Sequence, residues 1–168
     1  MSSWFHPTCG DFTFWAVLSW SYVEKGVEEV IWKFLHLDVS AGRVVTAHLD
    51  ALHKFRLLRG LADLYMNKEQ RASLSILMGR LEDLYELRNI IAHGHWVTIK
   101  PDNMPSSMSL RDKLPEGMRR DEVISNHMPS DLMLTTIQNM LLCTNSLALL
   151  RDSISPAPHK TSPSIVSG

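Results

Sequence analysis

Twelve consecutive residues hold most of the chain's candidate chemistry: Tyr85-Glu86-Leu87-Arg88-Asn89-Ile90-Ile91-Ala92-His93-Gly94-His95-Trp96. Arg88 is a permanent cation whose planar fork of donors suits carboxylate or phosphate oxygens. His93 carries an imidazole, a group that can take or give a proton. Asn89 both donates and accepts hydrogen bonds. On a helix, Asn89 and His93 are four residues apart and about 40° apart around the axis, so they share a face. Arg88 and His93 are five apart, which separates them by about 140° around the axis and about 7.5 Å along it. One helix does not naturally bring these two groups together. Two copies crossing about a twofold axis would, so the spacing predicts a homodimer with two Arg, two Asn and two His in one polar cleft.

Arg88 also stands in an unexpected place. The inward stripe of its helix runs Leu77, Leu81, Leu84/Tyr85, then Arg88, then Ile91/Ala92. A guanidinium buried without a partner loses its hydration and cannot neutralise itself by shedding a proton. Either a carboxylate or an external anion must meet it. Glu24 and Glu28 on the first helix are the carboxylate candidates, and pairing with one of them would make Arg88 part of an internal network without catalysis. His93 lies in the last turn, where the helix dipole favours its protonated form and where it could instead cap a free carbonyl.

Four helical segments must position these groups. The first can start at Asp11 as N-cap and run to about His36, with Val23, Val27, Val30, Ile31 and Phe34 inward and Glu29 and Lys33 paired at i,i+4 outside. Gly26 marks a close helix contact or a bend. The second segment begins at Ser40 as N-cap and carries one stripe, Val45, Leu49, Leu52, Phe55, Leu58, Ala62 and Tyr65. The third opens near Asn67 and ends where Gly94 offers a left-handed stop. Residues 97 to 128 hold three prolines and no lasting period; Val97-Thr98-Ile99 could be a short strand and the rest is a long excursion. A fourth helix fits Ser130 to Ser153, with Leu134, Ile137, Leu141 and Ala148 inward, and the tail from Ser155 is expected to be disordered. The expected fold is all-α: one domain over 1–154, a four-to-five-helix antiparallel bundle with an irregular excursion before its last helix, then the tail 155–168.

Arg-Asn-x-x-x-His near the end of the third helix of a small α-bundle resembles the signature of the HEPN superfamily. The longer phrase Arg-Asn-Ile-Ile-Ala-His-Gly-His-Trp looks like a subgroup of uncharacterised bacterial HEPN-like proteins. The resemblance implies a helical bundle that dimerises through the motif-bearing helix. It further implies a metal-independent endoribonuclease of toxin or defence type, with its site at the dimer interface. Carried over, Arg88 would hold the scissile phosphate, His93 would move protons and Asn89 would orient the site, giving a cyclic phosphate by attack of the ribose hydroxyl. No cofactor is implied, and an antitoxin or neighbouring-gene protein is an expected partner. One toxin–antitoxin branch has a nucleotidylated tyrosine two residues past the histidine; His95 stands there in this chain, so that regulatory scheme does not carry over. The alternative reading is a non-catalytic HEPN-like dimer that serves as an interaction or RNA-binding module.

The remaining features narrow the field. At 168 residues with 45 % hydrophobic and 21 % charged residues, the chain can bury a full core without disulfides and is not intrinsically disordered. Seventeen basic against eighteen acidic residues argue against a broad face for duplex DNA. Trp96 could stack on a base with His95 beside it, or both could fix the helix exit against the core. Arg119 and Arg120, with Arg111 and Lys113, could contact RNA phosphates or form ordinary solvated surface. None of the eight histidines stands in zinc-ligand spacing, so no metal site is expected. Cys9 and Cys143 read as reduced thiols, no stretch reads as a membrane span or a secretory signal, and the expected location is the cytoplasm.

Overall fold

A computed structural model describes residues 9–93, 95–98, 105–108 and 130–154. Among these residues five helices make up the all-α bundle: α1 (Cys9–Phe34), α2 (Val39–Thr46), α3 (Ala51–Tyr65), α4 (Lys68–His93) and α5 (Ser130–Ser153). Strands β1 (His95–Thr98) and β2 (Pro105–Met108) form a small antiparallel hairpin after α4, with Trp96 opposite Ser107. Expectations for Gly94, Ile99, Arg111, Lys113, Arg119, Arg120 and the tail from Ser155 lie outside the described residues.

α4 runs antiparallel to each of its neighbours. Its middle meets the middle of α1, with the Tyr85 and Trp20 ring centroids 5.7 Å apart, while its end meets the start of α1 through Ile91, Phe12 and Ala16. Against α3, Arg59 pairs with Glu82 at 2.9 Å and Asp63 with Arg71 at 3.6 Å. α5 lies alongside α1 in the same direction. Phe12 and Ala16 share a cluster with Met133 and Ile137, and Glu29 meets Arg151 at 2.6 Å further up. Gly26 allows this approach, since a Cβ there would lie 3.1 Å from Leu147 Cδ1. The main core joins α1, α3, α4 and α5 around Trp20, Ile31, Phe55, Leu58, Met78 and Leu81. A second cluster of Phe12, Ala16, Ile91, Met133 and Ile137 fills the end that carries the motif.

The continuous second helix is corrected to two. Asp38, not Ser40, caps α2, accepting from the backbone N–H groups of Ser40 at 2.8 Å and Ala41 at 2.9 Å. Asp50 caps α3 by accepting from the His53 N–H at 2.8 Å. Each aspartate satisfies amide donors that a helix start leaves unpaired. With the chain turned between Thr46 and Asp50, Val45, Leu52 and Tyr65 fall outside the core and only Phe55, Leu58 and Ala62 of the expected stripe are buried. α2 packs over Trp32 through Gly42, where a Cβ would sit 2.4 Å from the indole ring, and the Trp32 N–H donates to Thr46 Oγ1 at 3.2 Å. His36 ends α1 in the left-handed region at φ 53°, with Leu37 N–H returning to the Trp32 carbonyl and His36 N–H to that of Lys33.

Three further expectations change. Glu29 pairs with Lys25 at 3.7 Å and with Arg151, not with Lys33. On α5, Ile137 is buried but Leu134 and Leu141 are 50 % and 46 % exposed. The inward stripe is instead Met133, Thr136, Ile137, Met140, Cys143 and Leu147. Leucines thus stand on both sides of α5, and the stretch Leu132–Ser153, which holds an 18-residue window of mean hydropathy 1.2, is by length and composition apolar enough to cross a membrane. That corrects the expectation that no stretch has such a composition. The same apolar residues on its inner side are core residues here.

Candidate functional site

Asn67 starts α4 with a reciprocal cap: its side chain accepts from the Gln70 N–H at 2.9 Å, and its own N–H donates to Gln70 Oε1 at 3.1 Å. From that start the buried positions run Leu74, Met78, Leu81, Leu84 and then Ile91. Arg88 is the one position of this stripe between Leu84 and Ile91, and it is a half-buried cation. Tyr85 below it packs on Trp20, and Ile91 above it packs with Phe12 and Ala16, so Arg88 lies across from the α1 turn between Ala16 and Trp20.

The guanidinium is only partly satisfied. Nη1 donates to Asn89 Oδ1 at 2.9 Å, while Nε is completely buried and has no hydrogen-bond partner among the described residues. Neither carboxylate anticipated for it arrives. Glu28 pairs with Lys54 at 2.7 Å, and among the described residues no ion pair joins Arg88 to Glu24 or to any other acid. A buried donor left without a partner is rare in folded proteins and costs about 1–3 kcal/mol.

The structure therefore brings Arg88 and Asn89 into contact. His93 ends α4 and is exposed, with helical geometry holding it about 7.5 Å along the axis from Arg88. His95 and Trp96 belong to β1. Chemically, this end of α4 offers a fixed cation with spare donors, an amide that orients it and an open imidazole. That set can hold an oxyanion and exchange a proton beside it. Among the described residues no group of three His, Cys, Asp or Glu side chains could hold a metal ion.

Sequence reasoning missed a cleft of about 400 Å³ between α4 and α5. α4 contributes Arg80, Asp83, Leu84 and Leu87; α5 contributes Asn139, Leu142, Cys143 and Ser146. Both sets follow the offsets 0, 3, 4 and 7, so each is a single helical stripe. Polar residues interrupting both stripes were the available signal, but only the antiparallel pairing of the two helices makes them face each other. Burial holds the Cys143 thiol above its ordinary pKa, against a smaller opposing influence of the Arg80 charge.

Comparison of the chain with protein-family models, with curated proteins and with solved structures finds no match.

Proposed function

We propose that this chain is a cytoplasmic HEPN-like homodimer that cleaves RNA without a metal, at a composite site built from Arg88, Asn89 and His93 of two copies. The observation that carries the proposal is the buried, unpartnered Nε of Arg88 in a helix stripe that is otherwise apolar. No internal acid among the described residues meets this cation, and a phosphate is an anion of the right shape for its fork. Asn89 Oδ1 holds Nη1 and so fixes the guanidinium plane. In the proposed reaction the ribose 2′-oxygen attacks the adjacent phosphorus as the imidazole of one His93 takes its proton. The bond from phosphorus to the 5′-oxygen breaks, and the second copy's imidazolium returns a proton to that leaving oxygen. The products are a 2′,3′-cyclic phosphate and a 5′-hydroxyl.

Self-association draws support from the apolar surface at the same end of the bundle. Phe14 and Trp15, in edge-to-face contact at 5.4 Å, are 60 % and 53 % exposed, and Leu132 and Leu134 are exposed nearby on α5. Exposed apolar patches of this kind mark interaction sites. An antitoxin or neighbouring-gene partner is compatible with the same surface. The second reading, a HEPN-like dimeric interaction or RNA-binding module without catalysis, draws on the Arg88–Asn89 bond, which already engages one arm of the guanidinium.

Expression of the wild-type chain in a bacterial host separates the two. The nuclease reading expects growth arrest that His93→Ala abolishes while its circular dichroism stays wild-type. Equal growth of the two strains, with RNA capture by both proteins, selects the module.

A further inference from the structure

The cleft between α4 and α5 lies one residue from the motif, since Leu87 lines it and Arg88 follows. Its volume of about 400 Å³ falls within the roughly 300–1,000 Å³ typical of small-molecule sites. Leu84 and Cys143, both buried, form an apolar floor, and Leu142 stands exposed at the rim. Around that floor stand a guanidinium, a carboxylate and an amide. Among the described residues, no hydrogen bond or ion pair engages the side chains of Arg80, Asp83 or Asn139. Two packed antiparallel helices usually close such a seam with apolar side chains. Here the seam stays open and keeps separate donor and acceptor groups three residues apart on one helix.

We propose that this cleft binds a guanine base. A flat ring with apolar faces suits the leucine-lined floor, and its edge must present acceptors to Arg80 and donors to Asp83. Guanine does both: O6 and N7 accept from an arginine fork, and N1–H with the N2 amino group donates to a carboxylate. Adenine and cytosine each offer one amino group and uracil one ring N–H, so none fills both oxygens of Asp83. Asn139 can bond either kind of edge atom, and Ser146, whose hydroxyl donates to the Leu142 carbonyl at 3.0 Å, keeps lone pairs to accept. The inference rests on the RNA-cleavage reading for its setting: a guanine held here is the base read next to the cut phosphate.

Titration calorimetry on the full chain with guanosine 5′-monophosphate tests the cleft apart from cleavage, because that nucleotide has no scissile internucleotide bond. GMP is expected to bind at least about tenfold more tightly than AMP, CMP or UMP, and Asp83→Ala to weaken it about tenfold. Asp83 is exposed, so an unchanged melting temperature should accompany that loss. Absence of GMP binding, equal affinity for the four nucleotides, or binding that ignores Asp83→Ala overturns the proposal. Loss of RNA cleavage in His93→Ala bears on the motif reading and leaves each of these results unchanged.

Discussion

Replacing Arg88 with methionine should make the fold more stable. Methionine is a good helix former of comparable length, and it places a flexible apolar chain where the stripe is otherwise apolar. The substitution removes the buried Nε that lacks a partner, a relief of about 1–3 kcal/mol, and forfeits the Nη1 bond to Asn89, worth about 0.5–1.5 kcal/mol. The net expectation is a gain of about 1 kcal/mol. In a chain of 168 residues that corresponds to a rise in Tm of roughly 2–4 °C. Urea unfolding followed by circular dichroism, with an unchanged m value, measures it. The opposite result is equally informative. If an acid answered Arg88 inside the bundle, methionine would strand a buried carboxylate and destabilise the protein by about 3–5 kcal/mol. A loss beyond about 1 kcal/mol would refute the reasoning and make Arg88 a structural residue.

Other sites give sharper contrasts. Gly42→Ala should destabilise by about 2 kcal/mol or more by thermal melting, because its Cβ meets the buried Trp32 ring at 2.4 Å, whereas Gly79→Ala, with nothing within 4 Å, should stabilise α4 by about 0.5–1 kcal/mol. Glu28→Ala, which leaves Lys54 buried without its 2.7 Å partner, should cost about 3 kcal/mol in urea unfolding; the double change Glu28→Leu with Lys54→Met should be neutral or stabilising. The His53 backbone N–H, with the His53 ring, holds the Asp50 carboxyl below its ordinary pKa, so its contribution is fully present above the unfolded value and disappears as pH falls below about 4. The urea midpoint should therefore drop less between pH 6 and pH 3 in Asp50→Asn, which keeps the cap without the titration, than in the wild type.

Local signals carried much of the fold. The reach of α5 from Ser130 to Ser153 and the start of α4 at Asn67 were legible from apolar spacing and capping residues. The break between α2 and α3 was not, because Leu49 and Leu52 keep helical spacing across it. Asp50 was the local clue, since an aspartate ahead of an apolar run is a helix start in its own right. Leu134 and Leu141 misled for a different reason: when leucines stand on both sides of a helix, their spacing does not say which side is buried. At the site, Arg88 was legible as a cation out of pattern. That no carboxylate among the described residues meets it was not, because Glu28 goes to Lys54 on α3, a pairing set by tertiary packing. The cleft residues Arg80 and Asp83 showed in sequence only as polar positions interrupting a stripe, ordinary surface charges until α5 places Asn139 and Ser146 opposite them.

The most direct test incubates the purified wild-type chain and Arg88→Met with mixed RNA in excess EDTA and reads the new 3′ ends. The account predicts fragments ending in 2′,3′-cyclic phosphate from the wild type and none from the stably folded Arg88→Met protein. Intact RNA in the wild-type reaction, or equal cleavage by both proteins, would contradict it.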